Sequence, residues 1–472
     1  MKSSKYLEMR RVLSQVIAVM AKNFLMVLEG MSVGYVTILI ASLTDRNSNE
    51  TIILSEAQTS WISSISPISS LVGCYFSGLV SDRIGRKRAL ISLTIPNFIG
   101  WIGYYFAKEP WHIFATLALH GITSSFTEAP VLTYVAEVTE PHLRGALSTT
   151  TTLAMNIGML LETFICSMLH WRTAALVTCS VPILTLCMLM IVPETPYWLL
   201  LQNRCDEARK SLAWLRGWVS VAEVEEEFQE IQKGCSQREA DTSVIKPTQY
   251  FKRSFVIPFS LLAFLMIWSS FIGIGPTTRY SAVIFSTFNV PINKFYAVVL
   301  MSASGMLGSV LCIFSIKHFG KRKTAISSIF AFCMCHICIG IYAYMYNVTN
   351  LKFTTENMAT SSNDYQWIPL LLLSAFSFIA FCGPKNLPWV LIGEVFPNEA
   401  RAVGCGLISS VFYISSFAAN LAYLDMIALM SFPGVYWTFA FVCFIGLLIT
   451  YFLVPETEGK TLQQVADYYN EK

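Results

Sequence analysis

Residues 174–193 read AALVTCSVPILTLCMLMIVP, twenty residues without a charge. A helix of that length is about 30 Å long, the hydrocarbon thickness of a bilayer. The run stops at PETPYWL (193–199), where a carboxylate and two prolines arrive together. Outward from this stretch the same pattern recurs along the chain. Apolar segments lie at about 14–42, 59–80, 89–107, 112–136, 147–169, 173–192, 255–286, 294–316, 325–346, 367–393, 404–427 and 434–454, twelve in all. The first is too long for a signal-peptide core and no clear cleavage site follows, so it is read as a span.

Composition agrees. Of the 472 residues 54% are hydrophobic and only 13% charged, against roughly 25% charged in an average soluble chain. So few charges cannot cover a water-facing surface. That excludes a soluble enzyme, a nucleic-acid binder, a disordered chain and a disulfide-stapled secreted domain. The thirteen cysteines fall mostly inside spans, as small apolar packing residues. Cys333, Cys335, His336 and Cys338 resemble metal ligands on paper, but they point different ways round one hydrophobic helix. No metal, cofactor or catalytic set is expected, and the fold class is an all-α membrane protein.

An even number of spans puts both termini on one side. With the termini cytoplasmic, 25 of the 33 Lys and Arg fall in cytosolic segments, five in outer loops and three inside spans. Such a bias fixes the orientation. Two glycosylation sequons, at Asn49 and Asn347, both fall in loops assigned outside.

Three cytosolic patterns occur twice in the same order. GLVSDRIGRKR (78–88) pairs with SIKHFGKRK (315–323), EVTEPHLRG (137–145) with EVFPNEARA (394–402), and PETPYWL with PETEGKTL (455–462). The chain therefore divides into a six-helix half at 1–192, a charged helical linker at 193–253, a second half at 254–454 and a tail at 455–472. In the linker Ala208, Leu212 and Leu215 share one helix face, as do Val221, Val224, Phe228 and Ile231. Two parallel halves around a central cavity is transporter architecture.

Together with LRG at 215–217 and PWVLIGEVFPNEAR at 388–401, these motifs resemble the sugar-porter branch of the major facilitator superfamily over about 10–465. PETEGKTL and PWVLIGEVFP are most similar to the insect facilitated trehalose transporters. The resemblance implies twelve helices in two halves, alternating access, and a small sugar as substrate. It also implies that Asp82, Arg83, Arg86, Glu137, Arg144, Glu194, Glu394, Arg401 and Glu456 form a cytosolic gate, which holds when the site faces outward and breaks when it opens inward. Topology alone explains the bases there, not the acids repeated at matching places. Lys317 and His318 depart from the pattern, which weakens the second copy.

Helix breakers cluster in four spans: Gly30 and Gly34 in span 1, Pro130 in span 4, Gly273, Gly275 and Pro276 in span 7, and Gly383, Pro384 and Pro388 in span 10. In the fold that the resemblance implies, these spans surround the substrate. Intramembrane charges follow them: Lys22 and Glu29, Glu128, Arg279, and Lys385, with Glu162 in span 5 the exception. Charge in lipid costs several kcal/mol, so each should face the interior and be paired. Two arrangements stay open. Arg279 with Glu29 or Glu162, and Lys385 with Glu128, could pair across the cavity; or each charge could pair within its own half.

The substrate site is where this chain departs from the resemblance. Relatives supply Gln and Asn on spans 5, 7 and 8; here those positions read Thr152, Ser269, Ser270, Gly275 and about Gly305. Tyr280 and Trp389 remain, with Asn386 nearby. Thr152, Ser269, Ser270, Tyr280, Asn386 and Trp389 are the expected sugar contacts. Val36 after Gly34-Tyr35, and Leu117 on span 4, stand where proton-driven relatives carry charge, which favours uniport. A monomer in the cell membrane, carrying trehalose or hexose, is the first expectation. A carrier of another polar or charged solute, or a non-transporting sensor, is the second.

Overall fold

The computed structural model describes residues 2–45, 50–242, 253–353, 365–395 and 401–454. Asn49 and Glu456 lie outside the described residues, as do the side chains of Glu394 and Arg401. The described residues form helices and connections, with no strand among them.

The first six spans are Lys2–Leu43, Glu56–Ile84, Arg86–Tyr105, Pro110–Val138, Pro141–Met168, and the pair Trp171–Thr178 and Ser180–Ile191. Span 7 is three pieces, Arg253–Phe271, Ile274–Arg279 and Ser281–Thr287. Lys294–Phe319 and Lys321–Met345 follow, then span 10 as Ile368–Cys382 and Leu387–Val395, and lastly Arg401–Leu421 and Tyr423–Leu453. Ten of these are long and apolar enough to cross a membrane. Spans 3 and 4 are the more polar pair, and they pack on each other and on neighbours of their own set. The last span begins eleven residues before the apolar segment that marks it in the sequence. A kink at Ser431 (φ 63°) joins a short outer helix to the span proper.

The two sets pack alike. Spans 1 and 5, 2 and 4, and 3 and 6 pair in the first set; 7 and 11, 8 and 10, and 9 and 12 pair in the second. Between the sets, span 2 lies on span 11 and span 5 on span 8, an exchange-symmetric pair of contacts. The repeated cytosolic glycines match too. Gly85 (φ 102°) and Gly320 (φ 84°) each close one span and open the next. Both sit at positive φ, where an L side chain is strained.

Several breakers do not break. Span 1 runs unbroken through Gly30 and Gly34, and span 4 through Pro130. A Cβ on Gly30 would lie 1.8 Å from the Met155 carbonyl oxygen, so this glycine lets spans 1 and 5 touch. Spans 7 and 10 are interrupted, at Gly273 (φ 80°) and at 383–386. The difference is physical. A helix can pass a proline when neighbours accept the freed groups, whereas Gly273 occupies a left-handed conformation that ends the helix.

The linker folds against the first set. Ala208, Leu212, Leu215, Val224 and Phe228 are buried as the face pattern predicts, with Val221 left exposed. Arg216 binds Glu227 and lies 3.5 Å from Glu140. The Leu215 carbonyl accepts from Ser14 on span 1 at 2.8 Å, and Ser211 donates to the Glu194 carbonyl. The LRG motif is thus the hinge that fastens the linker to the start of span 1.

Candidate substrate path and its gates

At the motif-bearing end of the first set, the end expected to be cytosolic, Arg86 is 7% exposed and bridges Asp82 and Glu137, 3.1 Å from each. Glu137 also accepts from the Thr195 hydroxyl at 2.5 Å. Glu194 accepts from the backbone N–H of Lys87 at 2.9 Å and of Arg88 at 3.4 Å. It is an anion at a helix N-terminus, where the dipole favours it. Trp198 donates to the Asp82 carbonyl at 2.8 Å, and Tyr134 to the Pro193 carbonyl at 2.9 Å. The motif residues therefore form one cluster that ties spans 2, 3 and 4 to PETPYWL. Arg83 and Arg144 stand apart: both are exposed, and among the described residues Arg144 reaches only the Thr139 carbonyl, at 3.4 Å. Among the described residues no ion pair joins the cytosolic ends of the two sets.

The outer ends are fastened across the sets. Thr37 donates to the Thr278 carbonyl at 3.1 Å, and Ser63 to the Asn420 carbonyl at 3.4 Å. Tyr280, fully buried, places its hydroxyl 3.3 Å from both the Thr59 carbonyl and the Ser63 hydroxyl. Lys294 pairs with Asp45 at 3.4 Å. Tyr280 is thus held in the outer closure, which differs from its expected role as a sugar contact.

Between this closure and the motif-bearing end, spans 4, 5 and 10 carry further exposed residues. On span 5 the lipid-facing stripe is Ile157, Leu161, Phe164 and Met168. Thr152 is also exposed, yet lies about 140° round the helix from that stripe, at 100° per residue. Ser148, one turn nearer the cytosol, is exposed on the same inner face. On span 4 the row Glu128, Leu132, Ala136 runs one turn apart, and Leu132 and Ala136 are exposed. Trp389, 36% exposed, packs edge-on to Phe412 at 5.1 Å.

The other expected contacts are engaged elsewhere. Ser270 is buried against Ser415 at 3.0 Å, and Ser269 bonds the Met266 carbonyl at 2.9 Å. Asn386 donates to the Phe381 carbonyl at 2.7 Å and lines a small pocket among spans 8, 9 and 10. Its amide holds the break in span 10 together. Of the six expected contacts, Thr152 and Trp389 keep exposed side chains.

Among the described residues the intramembrane charges are not paired as ions. Lys22 is fully buried and donates to Thr151 at 2.5 Å, beside Asn23 donating to Thr150 at 2.9 Å. This is a seam between spans 1 and 5. Glu162 accepts from Thr178 at 2.8 Å and Cys166 at 3.4 Å, within the first set. Glu29 meets Ser124 and lies within electrostatic reach of Glu128. Glu128 accepts from the Tyr413 hydroxyl, a polar bond that crosses between the sets. Neither Arg279 nor Lys385 makes an ion pair among the described residues. His336 and its neighbouring cysteines are packing groups: the ring lies among Phe332, Phe376, Tyr436 and Phe439, and Cys333 bonds the Ala440 carbonyl. Sequence reasoning missed Tyr413, Asn156 and Thr37. Asn156 donates to Ser309 at 2.7 Å where spans 5 and 8 cross. Polar residues in apolar runs were their only signal.

A family model described as "Sugar (and other) transporter" matches residues 15–469. The facilitated trehalose transporter Tret1 of Polypedilum vanderplanki is 25% identical over 459 residues, covering 96% of this chain and 88% of that one. Tret1 of Bombyx mori is 26% identical over 437 residues, covering 92% and 83%. Among solved structures, a partially occluded inward open conformation of the xylose transporter XylE from E. coli superposes with a TM-score of 0.75. It is 19% identical, covering 95% of this chain and 99% of that one.

Proposed function

The chain belongs to the sugar transporter family, and from that membership we propose that it carries a sugar, trehalose or a hexose, across the cell membrane by facilitated uniport. The halves 1–192 and 254–454 act as two bodies that rock about a central site, with both termini cytoplasmic. It is a multi-pass membrane protein of the twelve-helix facilitator fold, and the substrate is a small molecule. The observation that carries the reading is the asymmetry of the seam. Hydrogen bonds from Tyr280, Thr37 and Ser63 cross between the sets at the outer ends, while the motif ion pairs at the cytosolic end stay within the first set. That is what a carrier closed outside and released inside requires.

In this reading Trp389 is the platform for a sugar's C–H face, and Thr152 offers a hydroxyl from the opposite set. Arg86, Glu137 and Glu194 hold the first set rigid. With Asp82, Arg83 and Arg144, and with Glu394, Arg401 and Glu456 opposite, they form the cytosolic lock in the outward-facing state. Arg–carboxylate pairs suit such a lock because they are directional and reversible. The test is an uptake panel in oocytes with labelled trehalose, glucose, amino acids and organic ions. Saturable uptake of trehalose or glucose, with KM raised several-fold in Trp389→Ala, supports the reading. Uptake of non-sugars alone, or of nothing, overturns it.

A further inference from the structure

Two bases of the second set lie within electrostatic reach of one another, and among the described residues neither has an acid partner. Arg279 ends the middle piece of span 7, and Lys385 sits in the break of span 10. They are close enough to repel one another. One guanidinium nitrogen of Arg279, Nη1, is enclosed without a hydrogen-bond partner. The Lys385 ammonium lies 4.0 Å over the Phe381 ring, a contact that does not cancel its charge. The acids of the first set are occupied elsewhere. Glu29 meets Ser124 within electrostatic reach of Glu128, with one of its oxygens enclosed and unpartnered; Glu128 accepts from Tyr413, and Glu162 is held by Thr178 and Cys166.

Two adjacent carboxyls can share a proton and so lose a charge. A guanidinium has no such escape, since it stays protonated at any working pH. An uncompensated arginine at membrane depth is costly and marks a functional site. The chemistry that would complete the site is an oxyanion, which a guanidinium fork and a nearby ammonium bind by charge-assisted hydrogen bonds.

We propose that Arg279 and Lys385 receive the anionic group of the transported solute, so that the cargo class is an acidic sugar, one bearing a carboxylate or a phosphate. This rests on the sugar-carrier reading and narrows it: the polar set that would bind a neutral sugar is depleted, and a charge pair takes its place.

The test uses the full chain in proteoliposomes, with labelled glucose, glucuronate and glucose 6-phosphate, and with inorganic phosphate as a competitor. Glucuronate or glucose 6-phosphate should enter, or compete with glucose, at about tenfold lower concentration than glucose itself, as one charge-assisted bond provides. That preference should vanish in Arg279→Gln and in Lys385→Gln. Should those variants fail to fold, the unaltered chain decides: glucuronate, and not its methyl ester, should raise the melting temperature in detergent. Whichever acid prevails identifies the group as carboxylate or phosphate. Glucose uptake that neither acid sugar competes with overturns this inference and leaves the sugar carrier standing. Acid-sugar uptake without glucose uptake upholds it and removes neutral hexose from the cargo. Competition by inorganic phosphate equal to that by glucose 6-phosphate overturns the sugar part, leaving a bare anion site, and stabilisation by the ester as strong as by glucuronate overturns the anionic part.

Discussion

Tyr280→Phe removes one hydroxyl and leaves the ring. In the outer closure that hydroxyl makes two contacts, to the Thr59 carbonyl and the Ser63 hydroxyl, both at 3.3 Å. A net hydrogen bond contributes about 0.5–1.5 kcal/mol, and bonds this long belong at the low end. Losing two therefore costs the outer-closed state about 1 kcal/mol, roughly a fivefold shift toward the outer-open state. The ring keeps its packing against Tyr423 at 5.2 Å, so the fold itself is little affected. Ser302 is 4% exposed and lines a narrow pocket with Thr37, Thr278 and Ser281, just behind the closure. In a Ser302→Cys reporter, a membrane-impermeant thiol reagent applied from outside measures how often the closure opens. Peptide mass spectrometry separates this site from the native cysteines. Tyr280→Phe should raise the modification rate about fivefold, and Thr37→Val, which removes a single 3.1 Å bond, should raise it less. An unchanged rate with a raised KM would mean that Tyr280 is a sugar contact after all, and would refute the gate.

Arg86→Ala leaves Glu137 without its guanidinium. Breaking a buried pair costs 3–5 kcal/mol, and here about 3, since the Glu137 side chain keeps 17% of its exposure; thermal unfolding in detergent should show it. Gly85→Ala forces a Cβ at φ 102° to within 2.5 Å of a Glu194 carboxylate oxygen. The strain is about 1–3 kcal/mol, and Gly320→Ala should fall in the same range without the Glu194 clash. In the linker, hydrogen bonds from Arg209 hold the Glu225 carboxyl below its usual range. A depressed carboxylate adds stability above its unfolded pKa and loses it as pH falls through the folded one. Protease cleavage of the linker should therefore rise on acidification, and Glu225→Gln should flatten that rise. Asn347 follows span 9 in a loop expected outside; a glycosidase-sensitive mass shift that disappears in Asn347→Gln would confirm the side, and glycosylation of a sequon engineered into the 193–253 linker, with Asn347 unmodified, would reverse it.

Span count and the doubled motifs were legible because each has a strong physical signal. Twenty apolar residues have few uses besides crossing a bilayer, and the bases sort by side. The linker faces were legible too, since Leu212 and Phe228 follow helical periodicity. Breakers were less so. Gly30 and Gly273 look alike in a sequence, but one is a packing contact and the other a left-handed helix stop. Side-chain direction was the poorest. Asn386 and Ser270 carry suitable groups yet spend them inside their own set, because a polar group in the membrane takes whichever partner is nearest. Tyr280 was singled out as a sugar contact, but its hydrogen bonds run to Thr59 and Ser63. The unpaired bases were visible as charges; that neither has an acid partner among the described residues was not.

The central claim is that one site is exposed to the two sides in turn, and counterflow tests it most directly. Proteoliposomes containing the full chain are loaded with unlabelled trehalose, and uptake of trace labelled trehalose is followed against vesicles loaded with buffer. Alternating access predicts faster uptake and a transient overshoot in the loaded vesicles, repeated with hexose if trehalose is silent. Equal uptake in loaded and empty vesicles with both sugars would contradict the account.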